Sequence, residues 1–258
     1  MLLRRFTQHV QDQNWFAVAL DFAIVVIGVF IGIQVANWNE ARAEKRLSQS
    51  YVDSLIADLG NDVENMRVLE AYYGDVVENI ERSERLLRED NPDPATVVLS
   101  AYRATEIAYL PLSRATWDQV VSSGHLGLLP DGSIRTRLQD YYAFEQGVDI
   151  NGTAISTGYR NLARKLIPIS VQQAIRNSCS DQYGDKLTIT GIPKIDDCIL
   201  DVPEETLARV AELLINNEEL SQELNLQYTT VLQFETFYAA NVTTAAQLAE
   251  SLEASAHP

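Results

Sequence analysis

One apolar segment near the start of the chain constrains the fold more than any other feature. Phe22–Ile33 contains no polar side chain, and Trp15 and Trp38 flank it. At 1.5 Å of rise per residue, a helix from one tryptophan to the other covers about 34 Å. That length matches a hydrocarbon core of about 30 Å with an indole ring at each interface. We therefore predict a transmembrane helix over residues 16–38, with Trp15 and Trp38 as interface anchors.

Two other interpretations of this segment stay open. A helix buried in a soluble core has the same composition. A cleaved signal peptide is the other alternative, because Ala41-Arg42-Ala43 has the small-x-small form of a cleavage site. The apolar run is long for a signal peptide, which favours a retained membrane helix.

The predicted membrane helix carries four residues that favour a partner helix. Gly28 and Gly32 form a GxxxG motif, which permits close approach of two helices in lipid. Asp21 lies seven residues before Gly28 and therefore near the same face, and an acidic group there is costly unless it pairs, is protonated or reaches the headgroups. Gln34 can hydrogen-bond to a neighbouring helix. The alternative is that Asp21 extends to the interface and no helix binds.

The charge of the chain excludes one class of function. With 20 Lys and Arg against 36 Asp and Glu among 258 residues, the net charge is −16. A nucleic-acid-binding protein needs a basic surface, so we expect no nucleic acid partner. The chain has two cysteines and three histidines and no haem, Walker or dinucleotide motif, so we also expect no metal site and no cofactor.

A basic island interrupts the acidic part of the chain. Residues 151–180 contain no carboxylate. A solvated face that pairs with acidic groups elsewhere in the fold is one interpretation. The other is a basic surface that contacts lipid headgroups or an acidic partner. The basic residues of this island are Arg160, Arg164, Lys165 and Arg176.

The cysteines decide the predicted orientation, because the charges on the two sides of the membrane helix do not. Cys179 and Cys198 are the only two in the chain, which suggests one disulfide in a domain outside the cytoplasm. We therefore predict a bacterial inner-membrane protein with residues 1–15 in the cytoplasm and residues 39–258 in the periplasm. Two unpaired thiols in a cytoplasmic domain are the alternative.

The rest of the sequence has helical periodicity. Apolar residues from Leu47 to Leu87 recur every three to four positions, which predicts one long amphipathic helix over 40–89, continuous with the membrane helix. The fold class is therefore all-α: a transmembrane helix, a soluble helical bundle and one disulfide loop with at most a short strand at Leu187–Thr190. Further helices are predicted over 95–109, from Ser113 (as the capping residue) to 124, from 133 to an interruption near Gly147, over 154–178 with a kink at Pro168, over 203–216 and over 217–253.

Two segments carry a resemblance to a known family. Asp21–Arg46 has an acidic residue, a glycine-containing apolar helix and then Gln-x-x-Asn-Trp-Asn-Glu. Arg114–Tyr142 has an aromatic residue, a Ser-Ser-Gly-x-Leu turn and a helix that ends in paired tyrosines. Together they resemble the DUF6090 type of membrane-anchored domain, a family of uncharacterised bacterial proteins. The resemblance implies an architecture but no activity, and Cys179 and Cys198 are not part of its pattern.

No constellation of residues indicates catalysis, and we expect no catalytic residue and no enzyme. A Ser-His-Asp set could be drawn from Ser122 or Ser123, His125 and Asp118 or Asp131, but no GxSxG motif accompanies it. The alternative for Ser122–His125 is a helix end closed by Gly124. Trp117, Tyr141 and Tyr142 have the spacing of core residues, or else line a ligand pocket.

These observations favour a non-enzymatic interaction protein. We expect an accessory or scaffolding subunit, held in the lipid bilayer, that binds a larger membrane protein complex or a second copy of itself. A periplasmic ligand-binding or sensor bundle that acts through a separate membrane partner is the alternative function.

Overall fold

A computed structural model describes most of the chain. It describes residues 15–147, 150–179, 182–183, 189–191 and 198–256. The packing of the chain divides it into two compact units, Met1–Tyr51 and Val52–Pro258. Residues 1–14 of the predicted cytoplasmic segment lie outside the described residues.

The predicted all-α class is confirmed. Among the described residues, the non-helical regular structure is one antiparallel pair of short strands, β1 and β2. The pair includes Ile189 and Thr190 of the predicted strand. The elements in chain order are α1 Trp15–Leu86, α2 Pro94–Arg103, α3 Ala115–Ser122, a 3₁₀ helix His125–Leu128, α4 Gly132–Gly147, α5 Ile150–Ile155, α6 Gly158–Leu166, α7 Ile169–Cys179, β1 Gln182–Tyr183, β2 Ile189–Gly191, α8 Glu204–Ile215 and α9 Glu218–Ala256.

Helix α1 confirms the continuity between the apolar segment and the amphipathic segment. Among the described residues, it is the helix that is long and apolar enough to cross a membrane, a test that a signal sequence also passes. From Val52 onward the buried side chains recur every three to four residues, as the periodicity predicts. The helix ends at Leu86 and not at residue 89, and Asn91 then adopts a left-handed conformation with φ 63°.

Helix α2 has a regular start and an early end. The Asp93 carboxylate accepts the Thr96 N–H at 2.8 Å, and Pro94 occupies the first turn, where no N–H is needed. The prediction that this helix reaches residue 109 is wrong. The N–H groups of Thr105 and Glu106 bond three residues back in a tightened last turn, and side chains from other helices take the carbonyl groups beyond it.

The kink predicted at Pro168 is also wrong, because the chain breaks into two helices there. Ile167 is extended (φ −82°, ψ 117°), as the residue before a proline prefers. Helix α6 therefore ends at Leu166, and α7 begins at Ile169.

The bundle of Val52–Pro258 is assembled around α2 and α9. Helix α2 packs against α6 and α8, and α9 packs against α4, α5 and α6. This arrangement buries the apolar faces of both helices and brings the end of α2 next to α6. The largest fully buried apolar side chains are Tyr72, Tyr73, Tyr102, Tyr142, Tyr159, Leu55, Leu59, Leu69, Ile80, Leu138 and Ile167.

Candidate functional site

The four residues predicted to contact a partner helix lie on α1 with open surroundings. Asp21, Gly28, Gly32 and Gln34 are all exposed. A Cβ atom added at Gly28 or Gly32 would meet no atom within 4 Å. The apolar window of α1 has none of its residues buried. This surface is therefore accessible to lipid or to another helix.

Of the two predicted interface anchors, Trp38 is the one whose side chain the structure describes. Trp38 is 60% exposed, and the Arg42 guanidinium lies 4.8 Å from the centroid of its ring. This cation–π contact places a positive charge beside the indole, as suits a headgroup region. Trp15 begins α1, and its side chain lies outside the described residues.

The two cysteines are neighbours without a covalent bond. Cys179 is buried at the end of α7, Cys198 is half-buried, and both are free thiols. Burial, together with the hydrogen bond and charge interaction with Cys198, raises the pKa of the Cys179 thiol to about 12. The thiols thus lie in contact, and the disulfide between them stays a prediction.

The basic island folds back onto the end of α2. Arg160 donates a hydrogen bond to the Thr105 carbonyl, and Arg164 Nε donates to Thr105 Oγ1 at 2.6 Å. Arg176 Nε donates to the Tyr102 hydroxyl at 3.0 Å. The fourth member of the island, Lys165, is exposed.

A further arginine completes this group from α2 itself. Arg103 is only 2% exposed, forms an ion pair with the buried Glu106 and donates to the Cys179 carbonyl. We name Arg103, Arg160, Arg164 and Arg176 the arginine cluster. Arg160 satisfies a carbonyl group just beyond the negative end of the α2 dipole, which is a stabilising position for cations.

Tyr102 is the centre of the arginine cluster. The Arg164 guanidinium stacks on its ring, with Cζ 3.5 Å from the centroid, and Arg176 lies 6.0 Å from the same centroid. Burial lowers the pKa of both Arg160 and Arg164, and the charge of a neighbouring arginine lowers it further in each case. The cluster is therefore partly desolvated.

No sequence pattern pointed to Tyr102, Thr105 or Glu106 as parts of a site. The one available signal was the spacing of Arg103 and Glu106, which puts opposite charges three residues apart within an apolar helix. The predicted boundary at residue 109 placed both residues inside a helix, whereas Glu106 lies in the tightened turn after α2.

A second polar centre joins α1 to the segment of the second family signature. Asp62 is fully buried; its carboxylate accepts the Ser113 N–H at 2.7 Å and the Tyr141 hydroxyl at 3.0 Å. Burial raises the pKa of Asp62, although both hydrogen bonds oppose the shift. The prediction that Ser113 caps α3 is wrong: Arg114 is the capping residue, and Asp58 and Asp62 accept backbone N–H groups beside the start of α3.

The aromatic residues of that signature are core residues. Trp117 stacks on Tyr142 with ring centroids 5.4 Å apart, and Tyr142 also meets Tyr141 edge to face. Arg114 donates to the Tyr142 carbonyl at 3.1 Å. A surface cleft of about 310 Å³ runs past Trp117 and Leu126. Packing of α3 on α4 accounts for the burial of Trp117 and Tyr142.

Ser122 and the two aspartates of the possible Ser-His-Asp set have structural partners. Gly124 closes α3 with φ 71°, as the cap interpretation predicted. Asp118 is bound by Arg114 at 3.0 Å and Asp131 by the Ser133 N–H at 2.9 Å, and these contacts lower both pKa values. Within the described part of the chain, no group of three or more His, Cys, Asp or Glu residues could hold a metal ion.

Comparison with known proteins identifies a family for part of the chain. The model of DUF6090, described as a family of unknown function, matches residues 21–148. No curated protein and no solved structure matches the chain. The matched region contains the apolar part of α1, the Asp62 centre and both sequence signatures, and it ends before the basic island of the arginine cluster. Over residues 21–148, this chain belongs to the DUF6090 family.

Proposed function

We propose that this chain is a non-enzymatic membrane-anchored interaction protein, an accessory or scaffolding subunit of a larger membrane protein complex. The observation that carries the proposal is the apolar window of α1, of which no residue is buried. A bilayer is the surrounding that such a surface requires. The family assignment is compatible with this function but adds no activity to it.

Energetics favours the bilayer as the surrounding of this window. Large side chains from Leu20 to Ile33 are about half exposed or more. Burial of one such side chain is worth about 1.5–3 kcal/mol, and water-soluble monomers rarely expose a contiguous apolar surface of this size. Insertion into lipid removes all of these side chains from water at once, and every backbone N–H and C=O of the helix stays hydrogen-bonded internally.

A partner helix would use the small residues of the same window. The open space at Gly28 and Gly32 lets a second backbone approach closely, which drives helix association in lipid. Asp21, seven residues before Gly28, supplies a polar group near the same face, and a polar group in lipid gains from a partner. Gln34, two residues after Gly32, lies on the other side of the helix. The proposed partner is a helix of a larger membrane protein.

The proposed orientation puts residues 1–15 in the cytoplasm and residues 39–258 in the periplasm of a bacterium. The contact between the Cys179 and Cys198 thiols supports it, because an oxidising compartment would join two cysteines so placed. Mass spectrometry of unreduced protein from native membranes tests this orientation. The proposal expects a Cys179–Cys198 linkage, and free thiols in that sample would contradict it.

Co-purification from native membranes in mild detergent tests the interaction. The double variant Gly28→Leu/Gly32→Leu should lower recovery of the partner about tenfold, because bulky side chains prevent close approach. The matched control is Val26→Leu/Phe30→Leu, which changes the opposite face of the same helix and should leave recovery unchanged.

Two outcomes would overturn the interaction. One is a wild-type protein that always runs as a monomer with no co-purifying membrane protein. The other is equal recovery with both double variants. A cross-linked mass that is a multiple of this chain alone would replace the larger complex with a homo-oligomer.

A further inference from the structure

Just beyond its apolar window, α1 carries charged residues of both signs on two different sides. All five charged residues between Trp38 and Tyr51 are exposed. At 3.6 residues per turn, the three basic residues fall within about 100° of one another around the helix axis. The two acidic residues lie about 160° from the middle of this arc, on the far side of the helix. The basic residues are Arg42, Lys45 and Arg46, and the acidic residues are Glu40 and Glu44.

The basic side chains lean toward the apolar window. In an α-helix the Cα–Cβ bonds tilt toward the N-terminus, and the apolar run Phe22–Ile33 precedes the basic residues in the chain. Arg42 has this orientation, since its guanidinium lies over the ring of Trp38, one turn earlier. Trp38 is about 40° from Arg42 around the axis and so lies on the same side. We name Trp38, Arg42, Lys45 and Arg46 the basic stripe.

The spacing of the charges leaves the basic stripe without an acidic neighbour on its own helix. Side chains face each other on a helix at separations of three or four residues. Within residues 39–51, no acidic residue stands three or four positions from a basic one. Arg42 instead stands three residues from Lys45 and four from Arg46, and like charges at these spacings repel. An anion placed along the basic stripe would relieve that repulsion.

The length of the basic stripe matches the headgroup layer of a bilayer. Along the helix axis Arg42 lies about 6 Å and Arg46 about 12 Å beyond Trp38. A bilayer of about 40–45 Å with a hydrocarbon core of about 30 Å has a headgroup layer of about 5–8 Å on each side. The flexible stems of arginine and lysine let their charged ends bend back toward that layer. With the Trp38 indole at the edge of the hydrocarbon core, all three cations are within range of lipid phosphates.

We propose that the basic stripe binds the phosphate group of an anionic phospholipid, in the leaflet at the Trp38 end of the span. The Arg42 guanidinium presents paired N–H donors that match phosphate oxygens, and the cation–π contact with Trp38 uses none of these donors. Lys45 and Arg46 add charge that attracts an anionic headgroup. The inference rests on the proposed membrane span of residues 16–38 and requires no partner protein.

Lipid retention by the full chain tests the basic stripe. The chain is reconstituted in vesicles of equal parts phosphatidylcholine and phosphatidylglycerol and extracted in neutral detergent, and mass spectrometry measures the lipids that stay bound. Wild type should retain phosphatidylglycerol at least about fivefold over phosphatidylcholine, whose choline group cancels the charge of its own phosphate. The triple variant Arg42→Gln/Lys45→Gln/Arg46→Gln should lose this preference.

Two further variants complete the test. The matched control is Arg67→Gln/Arg85→Gln/Arg88→Gln, which removes the same net charge from three exposed positions further along the chain and should leave the preference unchanged. Arg42→Gln alone should lower the preference at least about twofold, and it serves if the triple variant fails to enter vesicles.

Carbonate extraction of the same vesicles separates the inference from the proposed span. A wild-type chain that stays in the vesicles but shows no preference for phosphatidylglycerol would overturn the inference and leave the span intact. A chain released by carbonate would overturn both.

Two results with the variants would also contradict the inference. One is an equal loss of preference in the matched control, since net charge alone would then account for it. The other is a triple variant that keeps its lipid preference but loses a co-purifying protein, because the basic stripe would then bind an acidic segment of that protein.

Discussion

Two stretches of α1 contain similar numbers of apolar residues and have opposite environments. Between Leu20 and Trp38 apolar side chains point in every direction and are exposed. Between Val52 and Ile80 they follow a stripe with polar residues between them, and the stripe is buried, with Leu55 and Leu59 at 0% exposure. The arrangement of apolar residues around the helix, together with their density along it, distinguishes a lipid-facing stretch from a core-facing one.

The comparison also concerns the polar residues of the two stretches. Asp21 in the first stretch is exposed, whereas Asp62 in the second is buried and has specific donors in Ser113 and Tyr141. A carboxylate is tolerated inside the bundle because backbone and hydroxyl donors are fixed around it. In the first stretch the corresponding partner must come from lipid headgroups or another chain.

The largest expected effect is the loss of a core leucine. Leu59→Ala should lower the free energy of unfolding of the full chain in detergent by about 2–5 kcal/mol, because the cavity lies in a fully packed region. Leu20→Ala makes the same change in the exposed stretch and should leave that free energy unchanged. Denaturant titration measures both, and equal losses would show that the two stretches have the same environment.

The next largest effect is on membrane insertion, and it is expected in the exposed stretch only. Ile27→Arg puts a charge near the centre of residues 16–38, which opposes membrane insertion by about 3 kcal/mol. The fraction of protein recovered with membranes should fall, and the thermal midpoint of the remaining folded protein should not. A matched Ile56→Arg change at a half-buried position of the second stretch should leave membrane recovery unchanged. Fractionation followed by immunoblotting measures recovery, and an unaltered Ile27→Arg fraction would contradict the assignment.

The third prediction concerns the buried carboxylate. Asp62→Asn should cost about 1–3 kcal/mol near pH 4, because the amide replaces an acceptor with a donor. The unfolded carboxyl group titrates near pH 4, and burial raises the pKa of Asp62 in the fold. The native state therefore binds more protons than the unfolded state above that pH, and the contribution of Asp62 to stability falls as the pH rises through its folded pKa.

The difference in the free energy of unfolding between wild type and Asp62→Asn should accordingly become smaller between pH 4 and pH 7. Unfolding titrations at several pH values give this difference, with Asp58→Asn as the control beside it on the same helix. A deficit that grows as the pH rises would mean that the folded pKa of Asp62 is lowered.

The smallest effect compares two glycines. Gly60→Ala should stabilise the bundle by about 0.5–1 kcal/mol, because alanine favours the helix and its Cβ meets no atom within 4 Å. Gly28→Ala should leave the unfolding midpoint unchanged and lower only partner recovery. Thermal unfolding checks the first result, and a destabilised Gly60→Ala would reveal a close contact at that position.

Much of the fold could be predicted from the sequence, because the spacing of apolar residues and the positions of helix-ending residues are local features. The apolar run, the 3.6-residue stripe and Pro94 determined the extent of α1 and the start of α2. The errors arose where tertiary contacts replaced local ones. Arg160 takes the Thr105 carbonyl just beyond the end of α2, and Asp58 accepts the Thr116 N–H that a Ser113 cap would have bound.

The candidate sites also differ in whether local sequence or tertiary contacts define them. The residues of the membrane helix could be listed from the sequence because a single helix contains them all. The arginine cluster could be recognised only as an acid-free segment, since its positions relative to Tyr102 and Glu106 depend on the contact between α6 and the end of α2. Lys165 belonged to that segment but lies outside the cluster, because helical spacing turns it away from Arg164.

Alkaline carbonate extraction of native membranes tests the central claim, that residues 16–38 cross a bilayer, most directly. An integral span resists this treatment, which removes proteins held only by charge or by soluble partners. The full-length chain should remain in the membrane pellet. Recovery of the full-length chain in the supernatant, or of a shorter chain that begins after Ala43, would contradict a retained transmembrane helix.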